Sequence, residues 1–82
     1  MKNKADDLNS RFYTELGNIL KDARIRSNLS QSVVAEKLGI SRTCLSNWEV
    51  GIRQISFEDV FTLCNMYGLD INEVAKQTKK YL

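Results

Sequence analysis

Residues 29–51 read LSQSVVAEKLGISRTCLSNWEVG, and the spacing of apolar, small polar and glycine residues in this stretch decides the fold. Ser30 stands where a helix over Gln31–Leu38 needs an N-cap, because a serine oxygen accepts from the N–H groups that a helix leaves unpaired at its start. Val34, Ala35 and Leu38 form the inward stripe of that helix, and Val33 points away from it. Gly39 follows, supplying the left-handed residue that ends a helix. Ser41 then caps a second helix over Arg42–Val50, in which Leu45 and Trp48 face inward while Thr43, Ser46 and Asn47 face outward. The stretch is two short helices joined by a tight turn, with small Ala35 where their backbones cross. The outer face of the second helix is small and polar, and the core has no use for it.

The same punctuation recurs on both sides. Upstream, Phe12, Leu16, Ile19, Leu20 and Ala23 repeat at helical spacing, predicting a helix from about Arg11 to Ser27 that Asn28 terminates. Gly17 lies off that stripe at a modest cost in helix propensity. Downstream, Ser56 opens a helix with Asp59 at its third position, and Phe57, Val60, Leu63, Cys64 and Tyr67 share the expected buried side. After Gly68, Asp70 and Glu73 form another cap-like pair, and Ile71, Val74, Ala75, Thr78 and Leu82 carry an apolar stripe to the last residue. Residues 1–9 are polar and expected to be disordered, leaving 10–82 as one domain. Eighty-two residues leave no room for a second core or a sensor domain, so no small-molecule ligand is expected.

Composition narrows function. Hydrophobic residues at 43% suffice for a core and charged residues at 27% cover it, with no run approaching the ~18 apolar residues of a membrane span. No apolar segment follows the basic N-terminal residues, so a cytoplasmic protein is expected. Two cysteines, Cys44 and Cys64, are too few for a disulfide framework, and without any histidine they assemble no ordinary zinc site. The missing histidines also remove the usual general base, so no catalytic residue, metal or cofactor is assigned and an enzyme is not expected. Net charge is only +2, but residues 1–54 carry nine Lys/Arg against six Asp/Glu, and residues 55–82 three against four. A basic surface, if present, belongs to the first two thirds.

Gln31, Ala35, Gly39, Ser41, Leu45, Glu49 and Gly51 stand in the register of the phage repressor and Cro-like (XRE) helix-turn-helix family, which the chain resembles from about Leu16 to Val74. Ile55 stands where a proline is common there, Ile52 where a basic residue is common, and Val33 where a polar one is usual. The resemblance implies an all-α, compact five-helix, lambda-repressor-like DNA-binding domain with its helix-turn-helix at helices 2 and 3. It also implies a bacterial or phage regulator of transcription, more often a repressor, working on double-stranded DNA at the nucleoid. The third helix would enter the major groove. There Arg42 suits guanine or a phosphate, Asn47 suits adenine and the Thr43 methyl suits thymine. Gln31, Ser41, Ser46 and Arg53 suit phosphate contacts that set register.

Glu49 falls on the inward side of the third helix and needs a partner there. Arg24 flanks the stripe of the first helix, and in the resembling family an arginine at this place pairs with that glutamate. One recognition helix reads few base pairs, so a homodimer on an inverted-repeat operator is expected, with RNA polymerase occluded or recruited. The surplus apolar surface at Phe61, Met66, Ile71, Val74, Tyr81 and Leu82 is the expected dimer contact. The alternative is an antitoxin or other protein-interaction module of the same fold.

Overall fold

Serine and aspartate side chains start the helices after the first, and left-handed residues stop the first four. In the computed structural model, which describes residues 4–82, α1 is Lys4–Arg26, α2 Gln31–Leu38, α3 Arg42–Val50, α4 Phe57–Tyr67 and α5 Ile71–Thr78, followed by a 3-10 turn at Lys79–Tyr81. Ser30, Ser41 and Ser56 accept from the N–H of Val33, Cys44 and Asp59, and Asp70 accepts from Asn72. Ser56 also donates its hydroxyl to Asp59 at 3.0 Å, so the two side chains bond each other.

The ends of α1 through α4 close alike, with residues just beyond the helix bonding back into its last turn. At α1 Leu29 N–H reaches the Arg24 carbonyl at 3.2 Å and Asn28 N–H that of Ile25 at 3.0 Å, with Asn28 taking the left-handed φ of 58°. At the α2–α3 turn Gly39 adopts φ 71°. No atom would meet an added Cβ there, so backbone conformation alone asks for glycine.

α1 begins earlier than the Arg11 expected, at Lys4. Neither glycine nor proline interrupts Lys4 to Arg11, so nothing in the stretch breaks the helix. The expectation of disorder over residues 1–9 falls partly outside the described residues, at 1–3.

The core is shared by every helix: Leu16, Leu20 and Ala23 from α1, Val34 and Ala35 from α2, Leu45 and Trp48 from α3, Val60, Leu63, Cys64 and Tyr67 from α4, and Val74 from α5. Ile55, in the loop before α4, joins them at 7% exposure, where its side chain closes the core. Phe57 departs from expectation. It lies on the α4 stripe but is 73% exposed, its ring stacked on Phe61 at 6.3 Å.

Gly17 has a role that propensity did not suggest. It is buried, and a Cβ built on it would sit 2.5 Å from the carbonyl oxygens of both Trp48 and Glu49. At the same seam a Cβ on Gly51 would lie 2.6 Å from the Thr14 Cα. α1 and the end of α3 therefore meet backbone to backbone, with no side chain between them. Among the described residues, no helix is long and apolar enough to cross a membrane.

Candidate nucleic-acid interface

α3 divides its nine residues between two jobs. Leu45 is fully buried, Trp48 and Glu49 nearly so, and Arg42 and Thr43 are exposed while Ser46 and Asn47 are half-buried. Among the described residues, no side-chain hydrogen bond or ion pair engages Arg42, Thr43, Ser46, Asn47 or the exposed Arg53. Ser41 is exposed and spends only a lone pair on its cap, accepting from Cys44 N–H at 3.0 Å; its hydroxyl hydrogen stays available. The free N–H groups of the first turns of α2 and α3 add partial positive charge at each helix start.

Behind this face the inward side of α3 is locked. Arg24 Nε donates to Glu49 Oε2 at 2.6 Å and Arg24 Nη2 to Oε1 at 3.1 Å, while Nη1 reaches the Leu29 carbonyl at 2.8 Å. The pair is buried, Arg24 at 8% and Glu49 at 3% exposure. The hydrogen bonds to Glu49 hold the Arg24 guanidinium above its ordinary pKa, against the opposing effect of burial. Gln31 joins the pair, donating from Nε2 to Glu49 Oε1 at 2.9 Å. The structure thus brings Arg24, Glu49 and Gln31 into one network spanning α1, α2 and α3. Residue chemistry alone suggested only an outward role for Gln31, since nothing local signals a bond across 18 positions. Gly17 carried no such signal either, because an isolated glycine in a helical pattern is tolerated at a modest cost.

Beside the network, the Tyr67 hydroxyl is buried with no hydrogen-bond partner among the described residues. Burial first, and the Glu49 carboxylate second, push its pKa up to about 12, with Arg24 opposing. Burial likewise raises the Cys64 thiol. Both cysteines are free, Cys64 buried and Cys44 half-buried.

The apolar residues expected at a dimer contact do not form one exposed patch. Phe61 is 46% and Leu82 86% exposed, but Met66 and Ile71 pack partly against the core. Tyr81 is half-buried, with the Lys80 ammonium 5.3 Å from its ring centre. Val74 is a correction: at 3% exposure it belongs to the core, because α5 turns that residue toward α1 and α4 and leaves no surface on it. Between α1, α4 and α5 lies an apolar groove of about 340 Å³ lined by Phe12, Phe57, Ile71, Thr78 and Leu82 among others.

Comparison with known proteins agrees with this architecture. A family model described as helix-turn-helix matches residues 20–74, two thirds of the chain. The ImmF control region 10 kDa protein of Bacillus phage phi105 is 37% identical over 65 residues, which cover 79% of this chain and 71% of that protein. With two short capped helices across a glycine turn and a polar outer face on the second, the chain belongs to the helix-turn-helix family, as a phage repressor/Cro-like DNA-binding transcription regulator.

Proposed function

We propose that the protein is a repressor that binds an inverted-repeat operator as a homodimer in the cytoplasm, laying α3 of each copy in a major groove and occluding RNA polymerase. The observation that carries this reading is the division of α3: four outward side chains without intramolecular hydrogen bonds, on a helix whose other side is anchored by Leu45, Trp48 and Glu49. Arg42, Thr43 and Asn47 read bases; Gln31, Ser41, Ser46 and Arg53 hold phosphates and set register. The name of the phage phi105 relative refers to a control region, which suits regulation in a phage context.

The homodimer forms through the α4–α5 side, on exposed Phe57, Phe61 and Leu82, with half-buried Met66, Ile71 and Tyr81 at its edge. A two-fold contact needs one self-complementary patch. Exposed Phe61 next to an apolar groove rimmed by Phe57 and Leu82 supports placing that patch on this side.

The test is selection of bound sequences from random duplexes of about 30 base pairs, long enough for two half-sites roughly one turn apart, at near-physiological salt. An enriched inverted repeat is expected. Arg42→Ala relaxes preference at one base pair per half-site, whereas Arg53→Ala weakens all duplexes alike and lowers the salt slope by about 0.9. No enrichment by the folded protein would remove the reading.

A further inference from the structure

We propose that Glu49 is a positioning residue for DNA binding that acts through Gln31: its carboxylate holds the Gln31 amide so that the second N–H of that amide faces a DNA phosphate. The inference rests on the DNA-binding reading above and on one hydrogen bond that reading does not require, Gln31 Nε2 to Glu49 Oε1 at 2.9 Å. An ionised carboxylate has no hydrogen to give, so a glutamine amide can meet it only through nitrogen. A surface glutamine is free to present either its oxygen or its nitrogen to an approaching group. Here one orientation is excluded. Nε2 carries two hydrogens, and with one committed to Glu49 the other points away from it, on a side chain that is half-buried. That remaining N–H stands at the first residue of α2, where the backbone already favours an anion.

The arrangement works only if Glu49 cannot swing and does not itself repel the phosphate. Arg24 meets both conditions. Its Nε and Nη2 hold the two carboxylate oxygens at 2.6 and 3.1 Å, and Nη1 is tied to the Leu29 carbonyl at 2.8 Å. The guanidinium offsets the carboxylate charge, and at 3% exposure Glu49 is out of reach of solvent. The chain of bonds therefore runs from α1 through α3 to the start of α2. It makes the phosphate contact depend on α3 being in place.

The test replaces one backbone phosphate of the half-site at a time by an uncharged methylphosphonate and titrates each duplex with the wild-type protein, Gln31→Met and Glu49→Gln. At one position per half-site the replacement is expected to weaken wild-type binding about 3- to 10-fold, the worth of one hydrogen bond. Gln31→Met and Glu49→Gln, each already weaker by a similar factor, lose clearly less than the wild type at that position. Because glutamine is uncharged, Gln31→Met keeps the wild-type salt slope. If Glu49→Gln stays as sensitive as the wild type there, the positioning role is overturned while the phosphate contact stands. If no position distinguishes the wild type from Gln31→Met, the contact fails and the proposal with it. Should Glu49→Gln not fold, the wild-type protein still decides. Among the side-chain amides of Gln31, Gln54 and Gln77, that of Gln31 is expected to exchange most slowly with solvent in the free protein and to shift on adding DNA. Exchange as fast as the other two would overturn the proposal.

Discussion

Glu49 takes three hydrogen bonds where water cannot replace them. Removing one member of a buried pair strands the other, at about 3–5 kcal/mol. Arg24→Ala and Glu49→Ala should each lower stability by that order, and the double variant by clearly less than the sum, as denaturant titration would show; strictly additive losses would mean the two side chains are not coupled. Tyr67 is the opposite case. Its hydroxyl is buried without a partner, so Tyr67→Phe should stabilise by about 1 kcal/mol, since removing an unsatisfied group removes its desolvation penalty. The same side chain titrates at about 12 when folded, against an ordinary 10.0. A folded pKa raised above the unfolded one contributes stability that is complete below pH 10.0 and lost as pH climbs toward about 12. A melting series over that range should show a steeper alkaline decline for the wild type than for Tyr67→Phe, and equal slopes would contradict the shift. At this scale the sequence was readable where chemistry forced a choice. An inward glutamate needed a partner, and the place of Arg24 beside the first helix's stripe, together with the family resemblance, pointed to it. Gln31 was not readable as a third member, because its partner is set by how α2 lies on α3 and not by its neighbours in the chain.

Helix boundaries followed local rules closely: Ser30, Ser41 and Ser56 begin helices and Gly39, Gly51 and Gly68 end them, as their side-chain chemistry and backbone freedom dictate. Helix faces followed less well. Phe57 has the period of a buried residue, but period says only which side of a helix a residue occupies and not whether a neighbour reaches that far along it. Gly17 shows the same limit, since its burial comes from the closeness of two backbones. Gly17→Ala improves helix propensity by about 1 kcal/mol yet places a methyl against carbonyl groups fixed in α3. The expected outcome is a net loss of about 1–3 kcal/mol, together with weaker DNA binding because α3 must shift. A variant more stable than the wild type would show that the seam can open. Gly39→Ala meets no atom and should cost only backbone strain, about 1 kcal/mol, with operator preference intact.

The described residues span 37 × 25 × 19 Å, and the two proposed surfaces draw on different helices: α2 and α3 for DNA, α4 and α5 for a second copy. Phe61→Lys, or truncation after Lys76, should therefore abolish cooperative binding to the full inverted repeat while leaving the affinity for a single half-site near the wild-type value. Sedimentation and footprinting would check this together, and an unchanged mass with unchanged half-site spacing would place the dimer contact elsewhere. Unlike the fold, this surface was only partly legible, because Val74 and Leu82 share a stripe yet one is 3% and the other 86% exposed. The two-sidedness of α3 has a consequence for descent. Its outward residues at 42, 43, 46 and 47 carry none of the hydrogen bonds described for the core, and surface changes of that kind usually move stability by no more than about 0.5 kcal/mol. If that face reads the operator as proposed, related lineages are free to exchange it and acquire new target genes, while selection on survival of the protein acts on a separate set of positions.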